Sequence, residues 1–245
     1  MASSDFSPSA LFRSVASLPD HPSIAAVIPC FNEERHIGSV VASVRAVIPM
    51  VLVVDDGSTD RTLEVAGAAG ATPLHLPANL GKGEALRSGL LRAVELRFDF
   101  AILMDGDGQH DPADLPKFVE AAEVGDADLV VGNRMNEMQA MPPVRRFVNR
   151  WMSRRISKLA GLELPDSQCG YRLLRLSAWE RLEFRASRFE IESEMLIAFV
   201  TAGLRVRFVP VRTIYRDSQS KIHPVRDTIR WFRWWRRTRR RLAGR

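Results

Sequence analysis

The residues best suited to chemistry are the carboxylates of residues 105–110, which directly follow an apolar run. Asp105 and Asp107 are separated by one glycine, so a tight turn can bring both carboxylates to one divalent cation. Hard oxygen ligands suit Mg²⁺ or Mn²⁺, and Gln109 or His110 could add a further ligand. Such a metal would neutralise a diphosphate and stabilise the charge that develops as it leaves. The alternative interpretation is a solvated acidic turn.

Two further polar motifs follow apolar runs. Residues 55–60 begin with two aspartates, and a carboxylate there could accept hydrogen bonds from a nucleobase or ribose. The same residues could form a turn and a helix N-cap, and both interpretations can hold together. Residues 79–83 are glycine-rich and precede a predicted helix, whose N-terminus would favour an anion. A structural loop is an equally good interpretation of that segment.

The elements that must position these motifs alternate along the chain. Strands are predicted at 24–29, 51–54, 72–76, 100–104 and 129–132, and helices at 34–46, 61–69, 83–96 and 112–122. This alternation favours an α/β fold with a mostly parallel, Rossmann-like sheet flanked by helices. Ligands bind such sheets at the carboxyl ends of the strands, where the polar motifs fall. The later pattern predicts strands at 169–174 and at 206–215, the latter interrupted by Pro210, and helices at 144–160, 190–201 and 224–242.

The bulk composition fits one folded domain with appendages. The chain has 245 residues, and its net charge of +6 is concentrated near the C-terminus. Cys30 and Cys169 show neither metal-ligand spacing nor the density of a secreted disulfide scaffold, so we expect a reducing, cytoplasmic setting. We find neither a signal peptide nor the roughly 18–20 uninterrupted apolar residues of a spanning helix. We expect a flexible leader at 1–22, a catalytic domain at 23–220 and a basic tail at 221–245.

Four motifs in a fixed order carry a resemblance to a known family. They are Pro29-Cys30-Phe31-Asn32-Glu33, Asp55-Asp56-Gly57-Ser58, Asn79-Leu80-Gly81-Lys82-Gly83 and residues 105–110. The ordered set resembles the family-two inverting glycosyltransferases with the GT-A fold. It is most similar to the branch that contains dolichyl-phosphate mannose synthase and the bacterial polyprenyl-phosphate glycosyltransferases. The resemblance implies a GT-A-type fold and metal-dependent, inverting transfer of a hexose from a nucleotide sugar (GDP- or UDP-) to polyprenyl phosphate.

The resemblance also implies roles for individual residues. The metal ligands would be Asp105, Asp107 and Gln109, and the catalytic residues Asp105, Asp107 and Arg134. The positions that bind the nucleotide sugar would be Pro29, Phe31, Glu33, Val54, Asp56, Lys82, Asp105, Gly106, Asp107 and Lys221. The positions that hold the acceptor phosphate would be Arg134, Arg145, Asn149, Arg172 and Ser220, with Asn149 where the family has serine. Arginine suits these positions because its planar guanidinium binds phosphate through two hydrogen bonds.

Residues 190–194 carry three glutamates at the start of a predicted helix, where acids favour the helix dipole. In family members that accept hydroxyl groups, an acid in this region is the general base. The Glu-Asp pair of those enzymes is absent, and a phosphate acceptor is already anionic and needs no strong base. These observations favour a lipid-phosphate acceptor. The alternative is transfer to a hydroxyl of a lipid-linked or soluble glycan, with Glu192 or Glu194 as the base.

The tail at 221–245 contains nine arginines and one lysine against a single acid, Asp227. Its pattern predicts a basic amphipathic helix with several tryptophans, which is typical of a helix lying at an anionic membrane surface. Docking of the tryptophans on the domain is the alternative interpretation. Nucleic-acid binding is a rival use of this charge, and the intact donor motifs argue against a nonenzymatic binding module. We expect a cytoplasmic protein that is peripheral on the inner face of the cell membrane.

Overall fold

The computed structural model describes residues 21–135, 141, 143–214 and 224–243. Seven strands alternate with eight α-helices within these residues. They are β1 (Ile24–Cys30), α1 (Ile37–Arg45), β2 (Met50–Asp55), α2 (Thr62–Ala68), β3 (Thr72–His75), α3 (Lys82–Glu95), β4 (Phe100–Leu103), α4 (Leu115–Val124), β5 (Leu129–Asn133), α5 (Pro143–Ala160), β6 (Arg172–Arg175), α6 (Leu176–Trp179), α7 (Ile191–Thr201), β7 (Val206–Pro210) and α8 (Pro224–Ala243).

The strands form one sheet in the order β3-β2-β1-β4-β6-β5-β7. β6 runs antiparallel to its neighbours β4 and β5, and the remaining pairs are parallel. The predicted α/β fold with a mostly parallel sheet flanked by helices is therefore confirmed. In the register of β1 and β2, Cys30 lies opposite Asp55, so the segments that follow these two strands begin side by side.

Tight packing of α3 on the sheet depends on a glycine. A Cβ at Gly89 would lie 2.4 Å from Cγ1 of Val27 on β1 and 2.9 Å from Cγ2 of Val54 on β2. Both valines are fully buried, as expected for parallel strands covered on both faces. The helix is thereby held close to the sheet, with its N-terminus at the edge where the strands end.

The end of the sheet at β7 differs from the expectation. The predicted strand at 206–215 ends at Pro210, since proline has no N–H to continue the ladder. The chain then returns toward the polar turn after β4, where Thr213 forms an isolated antiparallel bridge with His110. Ile214 donates its backbone N–H to the carbonyl of Gln109 at 2.9 Å. The chain beyond β7 thus supports the turn that carries the two aspartates.

The C-terminal helix α8 packs on the domain through its aromatic side. Trp231 and Trp235 are only 3% and 6% exposed. The ring of Trp231 lies 5.6 Å from that of Trp151 on α5, and its Nε1 donates to Oγ of Ser193 on α7 at 2.9 Å. Trp231 and Trp235 therefore dock on the domain, which was the alternative interpretation of the tail. Most arginines of α8 are exposed. No helix in the described ranges is long and apolar enough to cross a membrane.

Candidate active site

A cavity of about 770 Å³ opens at the edge where β1, β2, β4 and β5 end. Its walls come from the segments after these strands, from the start of α3, from α5, from the segment before α7 and from α8. The predicted site residues that line it are Pro29, Phe31, Glu33, Asp56, Lys82, Asp105, Gly106, Asp107, Gln109, Arg134, Arg145 and Asn149. Most of the predicted site is thus brought to one cavity by the fold.

The turn after β4 presents both predicted metal-binding aspartates to the cavity. Gly106 allows the turn to lie against β1, because a Cβ there would be 2.4 Å from Sγ of Cys30. The Asp107 carboxylate accepts the backbone N–H of Gln109 at 2.9 Å, which fixes the turn. His110 is stacked on Tyr171 at 4.9 Å, and burial lowers the pKa of its imidazole to about 4. The imidazole is therefore neutral, and its Nδ1 accepts the backbone N–H of Asp105 at 3.2 Å.

The two aspartates differ in their electrostatic surroundings. Burial alone would raise the pKa of Asp105, but the Lys82 ammonium, 2.5 Å from its Oδ1, helps to hold that pKa at about 2. Burial, followed by the negative charge of Asp105, raises the pKa of Asp107 to about 6. Lys82 Nζ also lies 2.6 Å from Oε1 of Glu192, so one cation joins two carboxylates. The pKa of Lys82 is raised despite its burial because of these two partners.

A divalent cation fits this pair of aspartates. Its charge would relieve the repulsion that raises the pKa of Asp107, and carboxylate oxygen is a hard ligand. No group of three or more His, Cys, Asp or Glu side chains is arranged around a metal position in the part of the chain that the structure describes. The two carboxylates are hard oxygen donors of the kind that Mg²⁺ and Mn²⁺ prefer, and Gln109 lines the cavity with them.

Asp56, one of the predicted nucleotide-sugar positions, fixes the glycine-rich loop beside the cavity. Its carboxylate accepts the backbone N–H groups of Leu80 at 2.7 Å and Gly81 at 2.9 Å. Burial raises the pKa of Asp56, although these two hydrogen bonds oppose the rise. Because these amides bind Asp56, they are not oriented toward a phosphate, and the loop acts structurally at these positions. Val54 is wholly buried in β2 and does not line the cavity, so the structure does not place it at the donor site as predicted.

The same loop is held from its other side by residues 186–187. Gly83 donates its N–H to the carbonyl of Ser187 at 2.8 Å. A Cβ at Gly83 would lie 2.3 Å from the carbonyl oxygen of Ala186, and one at Gly81, which has a φ of +100°, would lie 2.5 Å from that of Ser187. The glycines are therefore required by backbone packing, and this packing places Lys82 in the cavity.

Arg134 follows β5 and is held by a buried carboxylate. Its Nε and Nη2 donate to the two oxygens of Asp166 at 2.8 and 2.9 Å, and its backbone N–H donates to Oδ2 at 3.2 Å. Asp166 is fully buried, and Arg134 lowers its pKa against the opposing effect of burial. This forked geometry fixes the guanidinium at the cavity wall.

Arg145 and Asn149 of α5, two of the predicted acceptor-phosphate positions, line the cavity. Arg172 does not line it, and this prediction is corrected. Its guanidinium is almost fully buried and donates to three backbone carbonyls, those of Cys169, Glu192 and Ser167, at 2.6 to 3.0 Å. Because its guanidinium is buried and hydrogen-bonded to these carbonyls, Arg172 supports the fold around the site and is not available to a phosphate.

The two glutamates proposed as alternative bases have different environments. Oε2 of Glu194 accepts the backbone N–H groups of Arg185 at 2.9 Å and Ala186 at 2.7 Å, so Glu194 anchors the segment before α7. Glu194 does not line the cavity, which argues against a role as base. Glu192 does line it, and its Oε2 is buried without a hydrogen-bond partner among the described residues.

Several cavity residues were missed by the sequence analysis. The first two turns of α8 contribute Arg226, Asp227, Thr228, Arg230 and Trp231, and the segment before α7 contributes Arg188 and Phe189. The tryptophan stripe of α8 was the available signal, because an apolar helix face requires a partner surface. Nothing in the sequence around Arg188 distinguishes it from a solvated arginine. The predicted contacts of Ser220 and Lys221 and most of the leader lie outside the described residues.

Comparisons with known proteins agree with this geometry. The chain is 31% identical to the UDP-N-acetylglucosamine–dolichyl-phosphate N-acetylglucosaminyltransferase of Methanococcus voltae, over 79% of this chain and 86% of that protein. It is 29% identical to the undecaprenyl-phosphate mannosyltransferase of Micrococcus luteus, over 81% of this chain and 87% of that protein.

Among solved structures, glucosyl-3-phosphoglycerate synthase of Mycobacterium tuberculosis, in complex with phosphoglyceric acid, superposes with a TM-score of 0.72. The two are 23% identical, and the match covers 91% of this chain and 80% of that chain, which shows the shared fold. Residues 25–182, more than half of the chain, match the family described as glycosyl transferase family 2. The chain therefore belongs to glycosyl transferase family 2 and is a glycosyltransferase.

Proposed function

We propose that this glycosyltransferase moves a hexose from a nucleotide sugar (GDP- or UDP-) to polyprenyl phosphate, with inversion and with Mg²⁺ or Mn²⁺. One observation carries the proposal. A single cavity holds the Asp105–Asp107 pair beside Arg134, and the cations Arg145 and Arg226 on its α5 and α8 walls. A reaction between two phosphate-bearing substrates needs cations on both sides of the transferred sugar. The names of the two curated relatives, which specify lipid-phosphate acceptors, support the same assignment.

On the donor side, a bound divalent cation would neutralise the diphosphate and favour its departure. Asp105 and Asp107 would hold that cation with Gln109, and Lys82 would keep Asp105 ionised through their ion pair. Arg134, fixed by Asp166, would donate to the diphosphate as negative charge accumulates on it. Phe31, Glu33 and Asp56 would bind the nucleoside, since they line the cavity in the segments that follow β1 and β2.

On the acceptor side, Arg145 and Asn149 of α5 would bind the lipid phosphate. A phosphate oxygen is already anionic, so it can attack the anomeric carbon directly without a general base. Arg145 forms no hydrogen bond or ion pair with another described residue, which leaves its guanidinium available to a ligand. Asn149, which stands where the family has serine, would donate a hydrogen bond from its side-chain amide, since it lines the cavity.

A second candidate is transfer to a hydroxyl of a lipid-linked or soluble glycan, which Glu192 favours. Its Oε2 has no described hydrogen-bond partner, and the side chain lines the cavity, as a general base must. Its Oε1 is already paired with the Lys82 ammonium at 2.6 Å, and this contact weakens the second candidate. Glu192→Gln should leave transfer to a lipid phosphate largely intact and abolish transfer to a hydroxyl.

We further propose that the enzyme is peripheral on the cytoplasmic face of the cell membrane and contacts anionic lipid through 221–245. The exposed side of α8 is mainly arginine, including Arg233, Arg236, Arg237 and Arg240. Each such cation near an anionic surface contributes about 1 kcal/mol to binding. Attachment would be chiefly electrostatic, because Trp231 and Trp235 are buried against the domain. We do not propose nucleic acid as a partner.

The test is a transfer assay with undecaprenyl phosphate and radiolabelled UDP- and GDP-sugars, with Mn²⁺, Mg²⁺ or chelator. The expected product is labelled, extractable into chloroform and dependent on metal. Asp107→Ala should abolish its formation without unfolding the protein, whereas Asp126→Ala, at an exposed aspartate outside the cavity, should have no effect. Unchanged turnover in Asp107→Ala would refute the proposed metal-dependent mechanism. Donor hydrolysis without a lipid product would move the acceptor to a hydroxyl-bearing glycan.

A further inference from the structure

A second cavity, of about 310 Å³, lies at the seam between α8 and residues 185–187. Its walls carry four arginines, Arg185 on one side and Arg230, Arg233 and Arg237 of α8 on the other. Ser187 adds a hydroxyl group, and Trp234 adds an indole ring. Among the described residues that line it, the only carboxylate is that of Glu190, so these residues give the cavity an excess of positive charge.

Two of these four arginines have carboxylate partners among the described residues, and two do not. Arg230 contacts Asp227 at 3.0 Å and lies 3.8 Å from Glu190, and Arg185 pairs with Glu183 at 3.2 Å in an exposed contact. The side chains of Arg233 and Arg237 form no hydrogen bond or ion pair with any other described residue. They are four residues apart on α8, where like charges destabilise a helix. An anion in the cavity would remove this repulsion.

We infer that this seam is a binding site for a phosphate group, supplied either by the headgroup of an anionic phospholipid or by a soluble phosphate. Guanidinium groups bind phosphate oxygens through paired, charge-assisted hydrogen bonds, and several arginines converge on one small volume here. The Ser187 hydroxyl supplies a further donor. Arg233 and Arg237 are exposed on the basic side of α8, so a headgroup at a membrane surface has access to the seam.

An occupant of this site would join two walls of the active site. The segment 185–187 is anchored through Glu194 and receives the N–H of Gly83, next to Lys82. Arg230 lines both cavities, and the turns of α8 around it carry Arg226 and Trp231 into the active site. A phosphate bound across the seam therefore ties α8 to the loop that holds Lys82. Binding at this site does not depend on the identity of the transferred sugar or its acceptor.

The test measures binding of inorganic phosphate to the full chain by isothermal titration calorimetry, without donor or metal. The double variant Arg233→Ala/Arg237→Ala should weaken phosphate binding at least tenfold. Arg185→Ala, on the opposite wall and outside α8, should weaken it as well. The matched control Arg240→Ala/Arg241→Ala removes the same charge from the exposed side of α8 but lines neither cavity, and it should retain binding. Circular dichroism and thermal melting verify that α8 is folded in each variant.

Equal losses in the two double variants would overturn the site, since they would show a diffuse basic surface instead of a pocket. The site would also be overturned if phosphate binding were not saturable, or if Arg185→Ala left it unchanged. Two vesicle arms then identify the source of the phosphate. If phosphatidylcholine vesicles with about one-third phosphatidylglycerol displace phosphate and pure phosphatidylcholine vesicles do not, the ligand is a lipid headgroup. If neither displaces it, the site is confirmed as one for soluble phosphate.

Discussion

Asp166→Ala tests whether a buried ion pair fixes Arg134, the arginine proposed to bind the donor diphosphate. Asp166 is fully buried and accepts four hydrogen bonds, three from Arg134 and one from the backbone N–H of Gln168. The substitution leaves the Arg134 guanidinium, only 9% exposed, without its counter-charge. Loss of one partner of a buried pair costs about 3–5 kcal/mol of unfolding free energy. In a protein of this size that corresponds to a melting temperature lower by roughly 6–20 °C.

The assay is urea unfolding of the two single variants and of Arg134→Ala/Asp166→Ala. Because the double variant leaves no unpaired charge, its loss should be smaller than the sum of the single losses by about 2 kcal/mol or more. The control cycle uses Asp126 and Arg207, an exposed pair at 3.4 Å, for which the coupling should be about 0–1 kcal/mol. Additive losses at Arg134 and Asp166 would refute the reasoning. Asp166→Asn should reduce the transfer rate because it keeps the shape but weakens the hold on Arg134.

Three further predictions follow from the packing around the cavity. Gly83→Ala should lower the unfolding free energy by about 1–3 kcal/mol, because its Cβ would meet the Ala186 carbonyl oxygen at 2.3 Å. Gly67→Ala, which has open space inside α2, should raise the unfolding free energy by about 0.5–1 kcal/mol. Urea unfolding compares the two variants, and equal effects would contradict the packing argument. Ser193→Ala removes the hydrogen-bond acceptor of both Trp231 and Gln168, so it should destabilise the protein by about 1–3 kcal/mol and speed tryptic cleavage within α8. An unchanged cleavage rate would mean that the Trp231–Ser193 hydrogen bond does not hold the helix. Cys169 should resist a thiol reagent at pH 8 in the native protein and react after unfolding, since it is fully buried and burial raises its pKa to about 11. Mass spectrometry maps the labelled residue, and fast labelling of Cys169 in the native protein would contradict its burial.

Much of the scaffold was predictable because its signals are local. Alternating strand and helix patterns placed the elements, and polar residues after the strands predicted a site at one sheet edge. The order of four short motifs identified the family, and the cavity contains most of the residues that the resemblance proposed. These inferences need only chain neighbours, since the carboxyl ends of parallel strands meet at the same edge.

The tertiary structure decided what depends on distant partners. Sequence pattern cannot show that β6 enters the sheet antiparallel between β4 and β5. Arg172 was expected to bind phosphate, yet its donors reach backbone carbonyls as far along the chain as Glu192. Glu192 and Glu194 cannot be distinguished in the sequence. Only packing decides that Glu192 lines the cavity and that Glu194 accepts hydrogen bonds from the backbone of 185–186. The tail, too, is a wall of the active site because Trp231 meets Ser193, 38 residues earlier in the chain. The physical reason is the same in each case. A charged or aromatic side chain takes its role from the donors, acceptors and surfaces that folding brings to it.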